Sequence, residues 1–413
     1  MGSLLRPPEL LRAREEFAAG RISREELRRA EDAAIREAVR MQEEIGLQSA
    51  TDGEFRRASW HMDFIYQLGG IERAEDSLKV SFRNERGVIE FTPAALKVTG
   101  RIHLKHTIFA DAFRFLKEQV TTATPKLTIP SPSMVHYRGG RAAIDERVYP
   151  DMEEFWEDLA AAYAEEIRAL WELGCTYLQL DDTSLAYLND PRQREHIASL
   201  GGDAEHQHEI YIRTINRALE GKPAGMTVTT HMCRGNFRSS WAAEGGYDFV
   251  AEALFNELKV DGFFLEYDDA RSGGFEPLRF VPPGKMVVLG LVDHQARRAG
   301  GEGRTQTAHR GGQPLRAHRA ALPLATVRLL LYSGRQRADQ RAAGRQAPAR
   351  GGDRRGGLGV SPHAARPAGF EPPACGLEVR KRTFRPVAAG RKICAFAGVS
   401  AARRFGVLHG VWA

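Results

Sequence analysis

From Leu27 onward, apolar residues recur every three or four positions: Leu27, Ala30, Ala34, Ala38, Met41 and Ile45. That spacing lines one face of a helix. Ser23-Arg24-Glu25-Glu26, just ahead of it, is a capping box. Its hydroxyl and its carboxylate each satisfy a backbone N–H that a helix start leaves open. Gly46 predicts the stop. The pattern then shifts to short runs of apolar and β-branched residues: Leu47 to Thr51, Leu127 to Pro130, Thr176 to Leu180, Met226 to Thr230, Gly262 to Leu265 and Lys285 to Val292. Helical-period segments separate them, notably 152–174, 205–220 and 246–258. Strand–helix alternation without a Gly-rich phosphate loop predicts a (β/α)8 TIM-type barrel rather than a doubly wound sheet.

Past Val292 the periodicity is lost, and Arg, Gly, Ala, Pro and Gln dominate. The chain has 413 residues, 42% of them hydrophobic, enough for one large domain or two ordinary ones. Its net charge of +6 conceals two unlike parts. Residues 294–413 hold 23 of the 59 Lys+Arg but only 5 of the 53 Asp+Glu. The reading is a barrel over 1–292 and a basic tail over 293–413 without a native fold. No apolar run is long enough to span a membrane, and the N-terminus has no signal-peptide pattern. Four cysteines (Cys175, Cys233, Cys375, Cys394) are no disulfide framework, which points to a reducing cytoplasm.

In (β/α)8 barrels, catalytic residues collect at the C-terminal ends of the strands. Here Glu54 follows the first run, and Asp181 and Asp182 end the third. His231 and Cys233 end the fourth, and Glu266, with Asp268 and Asp269, ends the fifth. Residues two apart on a strand share a face, so His231 and Cys233 would present an imidazole and a thiolate side by side, half of a tetrahedral zinc site. Each residue taken alone has a plainer reading. A lone His-x-Cys pair can be chance, Glu54 a turn residue, and Asp181-Asp182 a helix cap. Cys175 reads as core packing. His61, His103, His106 and His136 read as surface or internally satisfied residues. Charged or metal-ligating residues at four strand ends together indicate a polar, metal-containing mouth.

The chain resembles the cobalamin-independent methionine synthase family, in its short form equivalent to the catalytic barrel. The resemblance is carried by Gly2-Ser3-Leu4-Leu5-Arg6-Pro7, by Thr51-Asp52-Gly53-Glu54-Phe55-Arg56-Arg57, and by Leu178-Gln179-Leu180-Asp181-Asp182. It continues in Thr230-His231-Met232-Cys233-Arg234-Gly235-Asn236 and Phe264-Leu265-Glu266-Tyr267-Asp268. It implies a zinc ion (Zn2+) on His231, Cys233, Glu266 and a second cysteine. It implies that Ser3, Glu54 and Asp181 bind the amino acid part of homocysteine, with Glu54 and Asp181 central to catalysis. The implied reaction moves a methyl group from 5-methyltetrahydrofolate, or a polyglutamate or corrinoid donor, to the homocysteine thiol. The zinc renders that thiol nucleophilic at neutral pH.

The family's second cysteine lies in a Pro-x-Cys-Gly-Phe stretch, which this chain lacks. Reverse-translated and read one base later from Asp293, however, the tail can restore family-like text. Ala320 to Asp339 can supply EQLCLSPQCGFSSTVEGNALT, with the zinc cysteine across the codons of Val327 and Arg328. Gly344 to Gly359 can give a last helix, followed by a stop across Val360 and Ser361. A frameshift after about Val292 also explains the basic tail, because a shifted frame of a GC-rich gene yields Arg, Ala, Gly and Pro. On this reading the polypeptide loses its last strand and a zinc ligand, and is poorly folded and inactive. Met1 is equally open to being an internal start.

Three alternatives remain. A related zinc thiol-alkyltransferase, such as an epoxide–coenzyme M transferase, would share the metal chemistry. A pseudogene product would have no function. Nucleic-acid binding would suit the tail's charge but not its lack of aromatic interleaving or of any recognisable module.

Overall fold

The computed structural model describes residues 2–74, 80–84, 87–91, 95–237, 240–268, 270–291 and 392–396, all within one compact unit. The remainder of the 293–413 segment, including Val327, Arg328 and Cys375, lies outside the described residues, as does Asp269.

The helix read from the capping box runs Arg24–Glu44. Ser23 Oγ accepts from Glu26 N at 3.2 Å and Glu26 Oε2 accepts from Ser23 N at 2.7 Å. Gly46 follows with φ +86°. The strand runs become a curled, all-parallel sheet in chain order: Ser49–Ala50, Thr124–Pro130, Tyr177–Asp182, Thr227–Met232, Gly262–Glu266 and Met286–Gly290. Ser3 adds a parallel bridge to Gly53, so the chain's start stands beside the first strand. The helices Met152–Glu172 and Gln207–Ala218 pack against each other. This is TIM-type barrel architecture.

The strands have two chemically different faces. Leu127, Ile129, Leu178, Leu180, Val228 and Leu265 are almost fully buried in the main hydrophobic core. Complete burial of such a side chain contributes about 1.5–3 kcal/mol. The alternate positions carry Lys126, Thr128, Gln179, Asp181, His231 and Glu266, and Lys126 Nζ donates to Gln179 Oε1 across the strands at 2.6 Å.

Several features depart from the sequence reading. The first strand shortens to Ser49–Ala50. The helix expected over 246–258 is only Ala251–Glu257; ahead of it, the Tyr247 hydroxyl donates to Met232 O and accepts from Glu266 N. An antiparallel excursion was not foreseen. Gly69–Ala74 pairs with Ala95–His103, and the hairpin Val80–Asn84/Gly87–Phe91 pairs with Ser240–Trp241, just beyond Cys233. In the segment read as lacking a native fold, Lys392–Phe396 forms a strand parallel to Met286–Gly290. An edge strand that presents unpaired backbone groups is a template for any chain able to extend along it. No helix among the described residues is long and apolar enough to cross a membrane.

Candidate active site

Glu54 sits in the turn after Ser49–Ala50, with φ +57°, a conformation costly for a residue with a side chain. Its N–H is held by Asp52 Oδ1 at 2.8 Å. Its carboxylate accepts from Thr128 Oγ1 at 2.7 Å and lies 3.5 Å from the Arg57 guanidinium. Arg57 in turn donates to Thr128 O at 2.7 Å. Burial pushes the Glu54 carboxyl up; Arg57 opposes this, while Asp181 and Asp52 add to it. Gly2 closes over the pair. A Cβ there would lie 2.5 Å from Thr128 Oγ1 and 2.7 Å from Glu54 Oε1, so only glycine fits. The neighbouring Ser3 Oγ is buried with no hydrogen-bond partner.

Asp181 and His231 are register partners on adjacent strands. Their Oδ1 and Nδ1 atoms are 3.2 Å apart, and Gln179 Nε2 donates to the same Oδ1 at 2.5 Å. Burial alone would raise the Asp181 carboxyl, but the His231 contact and Gln179 outweigh it and leave the group below its ordinary value. Asp182 has a different role: it accepts from Ser133 and Ser184 hydroxyls and from Leu185 N, so it is structural.

Cys233 follows the Thr227–Met232 strand, and its thiol is pushed up to about 12, first by burial and then by the nearby Glu266 charge. Without a cation the sulfur therefore keeps its proton. Leu265 is in register with Met232, which brings Glu266 beside Cys233. Glu266 Oε2 accepts from Arg234 N at 3.0 Å and from Asn236 Nδ2 at 3.3 Å. Its Oε1 lies 3.0 Å from Arg271, an ion pair with no directed hydrogen bond. Burial pushes Glu266 up, yet Arg271 and Arg234 overcome this and leave it lowered. Arg234 is wholly buried and donates to the carbonyls of Gly245 (2.6 Å) and Glu266 (2.9 Å). It thereby pins the two loops together.

The candidate donors form a zinc-like set of imidazole, thiol and carboxylate, although no three converge to metal-binding distance among the described residues. Glu266 Oε1 is turned toward Arg271, and His231 Nδ1 toward Asp181. The donor chemistry, and the carboxylate oxygen without a directed hydrogen bond, fit a metal of this class.

Of the four other candidate histidines, His103, His106 and His136 match the plain reading, whereas His61 is buried with its Nε2 atom lacking a hydrogen-bond partner. His136 is buried and bonded to Tyr211 at 3.0 Å, and burial pushes it down to about 4. His106 bonds Gln67 at 3.1 Å, and His103 sits 3.0 Å from Arg101 O. His61 is buried against Trp60, 3.3 Å from Ser59 Oγ. Cys175 is core. Sequence reasoning missed Arg57, Thr128, Gln179, Arg234 and Arg271. The period-two polar positions Lys126-x-Thr128 and Gln179-x-Asp181 were the signal for two of them.

The profile of the cobalamin-independent synthase catalytic domain matches residues 1–308. The chain belongs to the cobalamin-independent methionine synthase family. It is 46% identical over 294 residues to the uncharacterized protein YxjH of Bacillus subtilis (strain 168), an alignment covering 71% of this chain and 76% of that one. It is 28% identical over 293 residues to a methionine synthase of Pyrococcus furiosus, covering 71% and 74%. Among solved structures it resembles a putative vitamin-B12-independent methionine synthase of Listeria monocytogenes, with TM-score 0.58 and 40% identity, covering 73% of this chain and 81% of that one. Membership of the synthase family supports a methyltransferase role.

Proposed function

We propose that the intact gene product transfers a methyl group from a methyltetrahydrofolate-type donor to homocysteine, giving methionine. The observation that carries this reading is the meeting of Asp181 with His231, two residues before Cys233 and within electrostatic reach of Glu54. The carboxylates of Glu54 and Asp181 suit the α-ammonium of an amino acid. The unpartnered Ser3 hydroxyl is left for the same substrate. His231, Cys233 and Glu266 would hold zinc. When bound, zinc supplies a Lewis acid that lowers the pKa of a thiol. Asp181 orients His231 through Nδ1, as a second partner commonly does for a metal-binding imidazole. The homocysteine sulfur, relieved of its proton, would then take the methyl as the donor's N–CH3 bond breaks, and a proton would return to that nitrogen.

We further propose that the codons beyond about Val292 are read one base out of frame. The composition break supports this, as does the alignment to YxjH, which takes in 76% of that protein's length. The fourth zinc ligand would be the cysteine encoded across Val327 and Arg328 in the restored frame.

The test sets the 413-residue chain beside the frame-restored chain. Each is loaded with zinc, supplied with homocysteine and methyltetrahydrofolate or a methylcorrinoid, and assayed for methionine. Methionine from the restored chain is the expected result. If the restored chain makes none with either donor but joins coenzyme M to an epoxide, the methyltransferase reading falls. Resequencing the codons for Leu291 to Arg297 tests the frame directly; an unaltered sequence overturns the frameshift as a sequencing artefact.

A further inference from the structure

A wide cleft lies apart from the His231–Cys233 pair. It is a cleft of about 1090 Å³ between the helices Pro8–Ala18 and Arg24–Glu44 and the segment around 106–114. Its wall holds seven arginines and four carboxylates. All four carboxylates are already engaged. Glu31 is bonded by Arg56 at 3.2 Å, and Asp52 by Glu54 N at 2.8 Å. Asp63 is bonded by Ala58 N at 2.7 Å, and Asp111 by Arg114 at 2.8 Å. The arginines are not all used. Among the described residues, Arg24 and Arg73 have no hydrogen bond or ion pair. Arg24 lies over the Phe17 ring at 4.8 Å and Arg73 over the Tyr66 ring at 4.6 Å. Deeper in the wall, the Nε–H groups of Arg14 and Arg56 are buried without an acceptor.

A guanidinium laid on an aromatic face still offers its edge to an anion. We propose that this cleft binds a small oligoanion, a molecule carrying three or more clustered carboxylates or phosphates, with Arg24 and Arg73 as its two uncommitted ligands. The cleft also touches the catalytic candidate from behind. Arg14 Nη2 donates to Phe55 O at 2.6 Å and to Arg57 O at 3.0 Å. It thus braces the turn whose other side carries Glu54. An occupant would reach the site through that brace.

The proposal does not rest on the methyl-transfer reading, because it is tested by binding alone. Inorganic tripolyphosphate and a hexaglutamate peptide are titrated separately by calorimetry into the full chain and into the frame-restored chain, in low and in raised salt. All the residues concerned lie within 14–114 and are common to both chains. One site per chain is expected, weakening with salt. Arg24→Glu with Arg73→Glu should lower affinity at least about tenfold, while Arg147→Glu, on an exposed arginine elsewhere, leaves it intact. Binding of tripolyphosphate alone assigns phosphates, and binding of the peptide alone assigns carboxylates. Failure of both to bind below millimolar concentration overturns the proposal. So does an affinity that survives the double reversal in a variant whose circular dichroism shows it folded.

Discussion

At the scale of single residues, the site is built from pairs. Asp181 contacts His231 at 3.2 Å and also accepts from Gln179 Nε2 at 2.5 Å, so its anion is shared between an imidazole and an amide. Asp181→Asn keeps the shape and removes the charge. A charge-assisted hydrogen bond contributes about 1.5–3 kcal/mol, so homocysteine affinity should fall roughly ten- to hundredfold. Isothermal titration on the zinc-loaded enzyme reads this, and an unchanged dissociation constant would remove Asp181 from the substrate site. Gly235 is the second informative residue. Its φ is +72°, and a Cβ would lie 1.8 Å from the Tyr187 hydroxyl. Gly235→Ala should cost about 1–3 kcal/mol in urea unfolding and weaken zinc retention, since the loop following Cys233 must shift. The His231 and Cys233 pairing was legible in the chain because period-two spacing fixes which side chains share a face. Arg234 was not. Its guanidinium is buried among the carbonyls of Gly245, Glu266 and Ser272, and no local pattern announces such partners.

At the scale of elements, the helix Arg24–Glu44 was readable to its ends, because caps and stops are local chemistry. Ser23→Ala should lower stability by about 1 kcal/mol in thermal or urea melts, a loss the Glu26 side chain cannot make good. The helix Met152–Glu172 carries a different device. Glu166 is fully buried there and accepts from Ile108 N at 3.1 Å, and burial raises its carboxyl to about 8. The folded state thus holds this proton more tightly than the unfolded chain does. The stabilising difference is complete below about pH 4.5 and is lost as pH rises to about 8, with a slope approaching about 1.4 kcal/mol per pH unit. Glu166→Gln should flatten the stability–pH curve over that window. A slope equal to that of the wild type would show the carboxyl ionised well below neutrality. The excursion from Gly69 to His103 was invisible in advance. Its pairing with Ser240–Trp241 joins residues far apart in sequence, and nothing in either stretch names the other.

At the scale of the whole molecule, a curled parallel sheet is stable only when its edges are met. Here Ser3 stands beside the first strand and Lys392–Phe396 beside Met286–Gly290. Restoring the frame after Val292 should supply the family's own closing strand and a fourth zinc ligand. The restored chain should then keep about one zinc per chain through gel filtration, whereas the unrestored chain loses it. Metal analysis of the two eluates decides between them. Equal retention would mean that His231, Cys233 and Glu266 suffice, and that the fourth cysteine is not a ligand.

The sequence alone determined the barrel class, the capped helix and the residues that stand at the polar strand ends. Periodicity, caps and strand termini are all properties of neighbouring residues. Tertiary structure alone decided how those ends are used. It turned Glu266 toward Arg271, left Ser3 without a partner, set Gly2 against Glu54 and Thr128, and opened an arginine cleft behind the Glu54 turn. Each of these depends on distances between segments that only the folded sheet brings together, and on the burial that makes an unpaired polar atom costly.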